Sequence, residues 1–168
     1  MTVDDETLPP ANAPSLTHLD EEGRPRMVDV SDKGITQRTA TARCHISLGD
    51  DVQALFDDDG EVHTKKGPVL QTATIAGIMA VKQTSTLIPM CHPLAIEKVD
   101  VQCDRQGDGV DVTCTVGLTG KTGVEMEALM GANVAALTIY DMCKSFGHAM
   151  RITDLHLVQK RGGKSDVG

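Results

Sequence analysis

Several short stretches of this chain carry side chains able to move protons or hold anions. The first is His63-Thr64-Lys65-Lys66-Gly67-Pro68, a basic loop leading into an apolar run. Ammonium groups beside a helix start suit phosphate oxygens, because the first turn presents unpaired N–H groups and the positive end of the macrodipole. By itself the pair is a weak signal, since two surface lysines are solvated far more often than they form a site. The longer phosphate loop G-x-x-x-x-G-K-[ST] is absent. The second stretch is Pro89-Met90-Cys91-His92-Pro93, in which two prolines stiffen the backbone around a thiol and an imidazole. Four readings stand: zinc ligation with His63 or His148, a Cys-His nucleophile pair, a binding or proton-transferring histidine, and an inert structural one. The paired ligand spacing of zinc sites is missing, and neighbours on an extended strand face opposite ways. Both facts favour a His92 that binds or transfers protons.

A third stretch, LTGKTGVEMEAL, sets Lys121 in a glycine turn before Glu125, Met126 and Glu127. Acids in a first helical turn complement the dipole, so capping alone explains them. Further on, Asp141 and Lys144 are an ordinary i,i+3 ion pair or the chemical end of a polar seam.

The elements that must position these groups follow from periodicity. Residues 36–48 read as a strand, residues 49–60 hold a short helix, and residues 68–85 form a helix with Pro near its start. Two alternating runs, 94–103 and 110–119, flank the turn DRQGDG and predict an antiparallel hairpin. A long helix over about Val124 to Phe146 and a strand over 150–159 complete the series. With the two early helices taken as one crossover layer, the order is βαββαβ. That is an α+β, ferredoxin-like antiparallel sheet with helices on one face. Residues 1–25, acidic and Pro-rich, are expected to be a disordered leader. One catalytic domain is expected over 26–160 and a flexible basic tail over 161–168.

The long helix is apolar around most of its circumference, which predicts burial on a second side by another subunit. At ~100° per residue its polar members Glu127, Thr138, Asp141 and Lys144 fall within an arc of about 120°.

Composition narrows the function classes. Aromatics are 2% of the chain, with no Trp, so stacking platforms for single-stranded nucleic acid are nearly lacking. The net charge of -8 argues against nucleic-acid and anionic-membrane partners, yet it is uneven. Residues 1–61 carry 14 acids against 5 bases, and residues 62–168 carry 10 against 11, so an anionic ligand is reasonable in the second part. The five cysteines, Cys44, Cys91, Cys103, Cys114 and Cys143, form no C-x-x-C and follow no signal peptide. They read as reduced thiols of a cytoplasmic protein. No apolar run is long enough to span a membrane.

The strings MVDVS (27–31), KKG (65–67), ATIAGI (73–78), LIPMCHPL (87–94), LTGKTGVEMEAL (118–129), VAALTIYDMCK (134–144) and GGKS (162–165) closely resemble the cyclic pyranopterin monophosphate synthase family of molybdenum cofactor biosynthesis. The similarity is collinear over about residues 15–168. It implies a ferredoxin-like subunit in a hexamer of three dimers, with active sites at the dimer interface. It implies a lyase that converts (8S)-3',8-cyclo-7,8-dihydroguanosine 5'-triphosphate, made from GTP, to cyclic pyranopterin monophosphate and pyrophosphate.

Carried over residue by residue, the resemblance makes Asp141 the catalytic acid/base, with Lys144 and Lys66 catalytic lysines. Met90, Cys91 and His92 fall in one substrate-binding segment, and Glu125, Met126 and Glu127 in a second. Lys160 and Lys164 add phosphate contacts, and His92, as an imidazole in the binding segment, is expected to steady developing charge as well. Pro68 departs from the pattern, standing where an acid is common. No cofactor or metal is implied; Mg²⁺ could accompany the triphosphate, though no residue pattern indicates it. Two rival readings are a nucleotide-sensing regulatory module and a metal-binding scaffold on Cys91 and His92.

Overall fold

The computed structural model describes Asp20 and residues 22–168. Most of the leader expected over residues 1–25 lies outside the described residues. The first long strand, β1 (Thr36–Ser47), places Ala40, Ala42, Cys44 and Ile46 on one face at the period of two that a pleated strand imposes. A one-turn helix, α1 (Asp50–Gln53), leads to two short strands, β2 (His63–Thr64) and β3 (Gly67–Pro68). These pair as a miniature hairpin with Lys65 and Lys66 at its tip. Sequence periodicity alone predicts a plain loop here. Two-residue strands ending in a proline leave no alternation to detect.

The helix α2 (Val69–Leu87) follows, then the hairpin β4 (Lys98–Gln106) and β5 (Gly109–Gly120), the helix α3 (Glu125–Cys143), a 3-10 turn over Lys144–Phe146, and β6 (Arg151–Arg161). The long helix thus ends three residues before Phe146, and Lys144 belongs to the tighter turn. The main sheet has the order β4-β5-β1-β6 with every neighbouring pair antiparallel. The chain is therefore a mixed α and β structure on a four-stranded antiparallel sheet. Beyond β6, in the expected tail, the backbone turns back and Lys160 and Val167 exchange two hydrogen bonds of 3.0 Å.

Helix α3 packs on α2 and on the face formed by the buried residues of β1 and β5, including Val112, Cys114 and Val116, while α2 packs against β4. The opposite face carries polar pairs such as Thr41 and Thr115, 2.9 Å apart. The helices approach closely because Gly77 and Gly131 lack side chains. A Cβ on Gly131 would overlap Cys114 Sγ and stand 2.8 Å from Val81 Cγ2. Gly131→Ala is expected to destabilise the fold by about 1–3 kcal/mol, the usual cost of overpacking, despite alanine's better helix propensity. Thermal unfolding of that variant checks it; a melting temperature at or above wild type would contradict the packing.

Toward solvent, α3 leaves Leu137 50% exposed and Met126 37% exposed, and α2 leaves Ile75 and Met79 uncovered. The chain by itself does not supply the second burial surface. Among the described residues no helix is long and apolar enough to cross a membrane.

Candidate active site

At the C-terminal end of α3, Asp141 sits between two lysines. Its Oδ1 lies 2.8 Å from Lys144 Nζ and its Oδ2 2.7 Å from Lys66 Nζ; Lys66 also donates to the Asp141 carbonyl at 3.1 Å. The i,i+3 spacing brings in Lys144, and the β2–β3 hairpin brings in Lys66. All three side chains are about half exposed. The Lys144 and Lys66 ammoniums hold the Asp141 carboxyl down to about 2, and Asp141 in turn raises Lys144. The cluster is a carboxylate flanked by two proton donors. A single chain is enough to bring the loop Lys66 to Asp141 and Lys144.

The other residues gather at the opposite end of α3. A cavity of about 560 Å³ is lined by Met90, Cys91, His92, Glu125, Met126, Glu127 and Lys164, with Val28, Val30 and Lys33 across from them. The loop between prolines and the first turn of α3 thus share one wall. Glu127 is 4% exposed, and burial followed by the neighbouring Glu125 charge raises its carboxyl. Burial and Glu127 likewise push the Cys91 thiol up, which disfavours the thiolate a nucleophile needs. All five cysteines are free; burial takes Cys44 and Cys114 up to about 12. Among the described residues no three His, Cys, Asp or Glu side chains converge as a metal-binding group.

A second cavity of about 390 Å³ adjoins the first, sharing Lys33, Thr122, Gly123, Glu125 and Lys164. Its rim adds Arg38, Lys121, Lys160 and Arg161. Six cations face Glu125, which Lys160 reaches at 3.3 Å. Such a concentration of positive charge is suited to a polyanion. Lys33, Arg38 and Arg161 carry no motif in the sequence, and Lys121 stands out there only by its glycine turn. Beyond Lys121, the signal for a basic cleft is the slight excess of bases over acids in residues 62–168.

The two groups do not meet. Glu125 and Asp141 are separated along α3 by sixteen residues, roughly 24 Å at ~1.5 Å per residue. Neither cavity includes Lys66, Asp141 or Lys144. Glu127 and Asp141 share an angular sector yet stand at opposite ends.

The MoaC family model matches residues 27–163. A cyclic pyranopterin monophosphate synthase of Xanthomonas axonopodis pv. citri is 53% identical over 162 residues, covering 95% of this chain and 98% of the relative. Proteins of the same name from Sulfurovum sp. (54% identical, 90% of this chain and 96% of the relative) and Parvibaculum lavamentivorans (50%, 91% and 95%) are similar over nearly their whole lengths. The matched span holds every long strand, both long helices, Asp141 with its two lysines and most of the basic cleft, and on that ground the chain belongs to the MoaC family.

Proposed function

We propose that the chain is a lyase of molybdenum cofactor biosynthesis that converts (8S)-3',8-cyclo-7,8-dihydroguanosine 5'-triphosphate to cyclic pyranopterin monophosphate and pyrophosphate. The observation that carries this reading is the division of the chemistry between the two ends of α3. One end offers a carboxylate with two proton donors, the other a cation-lined cleft of a size for a nucleotide-derived ligand.

In this reading the subunit is ferredoxin-like, with the order β4-β5-β1-β6 as its βαββαβ sheet. Two subunits supply each active site, and three such dimers form a hexamer in the cytoplasm. A two-fold partner would bring its Lys66, Asp141 and Lys144 to the mouth of the cleft, and would cover apolar side chains such as Leu137. The cleft lysines and arginines neutralise the triphosphate. Met90, Cys91, His92, Glu125, Met126 and Glu127 hold the guanine-derived rings. The last residues, with Lys164, close over the phosphates, and the segment 1–25 lies outside the catalytic unit.

The reaction needs a substrate hydroxyl to attack the α-phosphorus while the bond to the β-phosphate oxygen breaks, so that negative charge grows on the departing pyrophosphate. Cations placed in advance stabilise that charge without reorganising. Ring opening and reclosure need protons delivered and removed, the task of Lys66 and Lys144 as Asp141 orients them and activates water. His92 grips the substrate and steadies developing charge. No net electron transfer is involved.

The test is to incubate the purified protein with the cyclic dihydroguanosine triphosphate and follow pyrophosphate and the pterin together. Stoichiometric appearance of both is expected. Binding without turnover would leave the regulatory-module reading in its place.

A further inference from the structure

The helix that carries Lys66's hairpin into the core begins without a cap of its own. Pro68 occupies the N-cap position of α2 and makes no side-chain hydrogen bond. An N-cap side chain ordinarily accepts from the second and third helical N–H groups, which otherwise have no partner. Here those groups belong to Leu70 and Gln71, and a residue seven positions before Pro68 serves them. Glu61 Oε1 accepts from Leu70 N at 2.8 Å, and Oε2 accepts from Gln71 N at 3.1 Å. The first helical N–H, on Val69, donates to the Val62 carbonyl at 2.9 Å.

Glu61 is 9% exposed and pairs with no cation among the described residues. Its carboxylate is held by backbone donors, including Val62 N at 2.7 Å, and by the positive end of the helix. Glu61 itself is anchored, since its N–H donates to Asp57 Oδ1 at 2.8 Å and its carbonyl accepts from Asp57 N at 2.9 Å.

Glu61 and Val62 therefore lock the outgoing leg of the hairpin to the start of α2, and what projects between the two legs is the Lys65-Lys66 tip. At the tip, Thr64 Oγ1 accepts from Lys66 N at 3.1 Å and donates to the Gly67 carbonyl at 3.3 Å, and Gly67 takes φ +112°, which favours glycine. The path from Glu61 to the Lys66 ammonium thus runs through side-chain-to-backbone hydrogen bonds at both ends of the hairpin and ends on Asp141.

We propose that Glu61 is the positioning residue for Lys66: as a cap donated from outside α2, it replaces the side chain that Pro68 lacks and so fixes the Lys66 ammonium on Asp141. The inference rests on the proton-transfer role given to Lys66 above.

The test uses the full chain as Glu61→Ala, Glu61→Gln, Glu61→Ala combined with Pro68→Asp, and Lys66→Ala. Turnover of the cyclic dihydroguanosine triphosphate is measured well below each unfolding midpoint. Lys66 availability is read by trace acetylation and mass spectrometry against Lys65 and Lys82. Glu61→Ala is expected to lower kcat by roughly ten- to a hundredfold, the scale of a catalytic group displaced by about an ångström, with KM unchanged. Acetylation at Lys66 alone should rise as its bond to Asp141 loosens. Adding Pro68→Asp should reverse both changes, because an aspartate at the N-cap accepts from the same two N–H groups. A loss of stability alone would move neither the Lys66 acetylation nor its rescue. If Glu61→Ala does not fold, Glu61→Gln gives the same pattern with smaller amplitude, since it keeps one acceptor oxygen. Folded Glu61 variants with wild-type kcat and wild-type Lys66 acetylation, beside an inactive Lys66→Ala, would overturn the proposal. Normal turnover by Lys66→Ala would instead sink the catalytic reading of Lys66, and the acetylation pattern would then decide whether Glu61 positions that side chain.

Discussion

Asp141→Asn is expected to lower turnover by roughly two to four orders of magnitude while the melting temperature hardly changes. The substitution keeps the shape and removes the anion on which both ammoniums converge, at 2.7 and 2.8 Å. The stability side follows from exposure: the three side chains are about half exposed, where water screens ion pairs strongly. The sign of the pH dependence is set by the same contacts. A carboxyl held down to about 2 contributes stability above its unfolded pKa and loses it only as the pH falls toward that value. Asp141 is therefore ionised at every pH suited to an assay, and an acid limb in the rate profile must come from another group. Lys144, raised by Asp141, stays cationic, and the proposed mechanism therefore uses it as a proton donor. Turnover and thermal unfolding of one preparation test both halves. Wild-type turnover would remove Asp141 from the mechanism, and a large loss of stability would make the cluster structural.

Arg38→Ala is expected to raise KM by roughly ten- to a hundredfold with a smaller effect on kcat, the scale of one or two lost hydrogen bonds to a charged group. Among the described residues Arg38 Nε is buried with no partner, and one terminal nitrogen makes only a long 3.4 Å bond to the Lys121 carbonyl. Desolvated donors without acceptors are costly, and these line a cleft with five other cations. A phosphate chain offers the acceptors they lack. Arg38→Lys should recover part of the affinity, since it restores the charge and not the planar fork. An unchanged KM in Arg38→Ala would show that the triphosphate lies elsewhere.

The strands and helices were legible because alternation and helical periodicity are local. Ala40, Ala42, Cys44 and Ile46 mark the inner face of β1 without reference to any partner. Arg38 falls on the inner-face parity of the same alternation and reads there as a polar residue closing that stripe at the strand's start. What makes it a site residue is pairing at long range: Thr39, its neighbour, stands opposite Arg161 across the β1–β6 ladder, so the end of the chain comes to its side. No spacing in the sequence encodes that meeting. The polar arc on α3 exposes a related limit. Periodicity fixed the angle of Glu127 and Asp141 around the axis, but angle says nothing of rise, and fourteen residues of rise carry them roughly 21 Å apart. The Lys66 hairpin escaped for a third reason, since its two-residue strands are held by Glu61 from outside the segment. Motif resemblance selected most of the site residues; only the folded chain divides them into two groups.

That division makes complementation between subunits the most direct measurement. Asp141→Asn and His92→Ala are each expected to be nearly inactive alone, and co-expression lets them assemble together. In a mixed dimer one site then carries both substitutions and the other carries neither. Turnover should return to about a quarter of wild type under random assembly. Recovery no greater than the sum of the two variants' residual rates would mean that each chain holds its own complete site, and would contradict the composite active site.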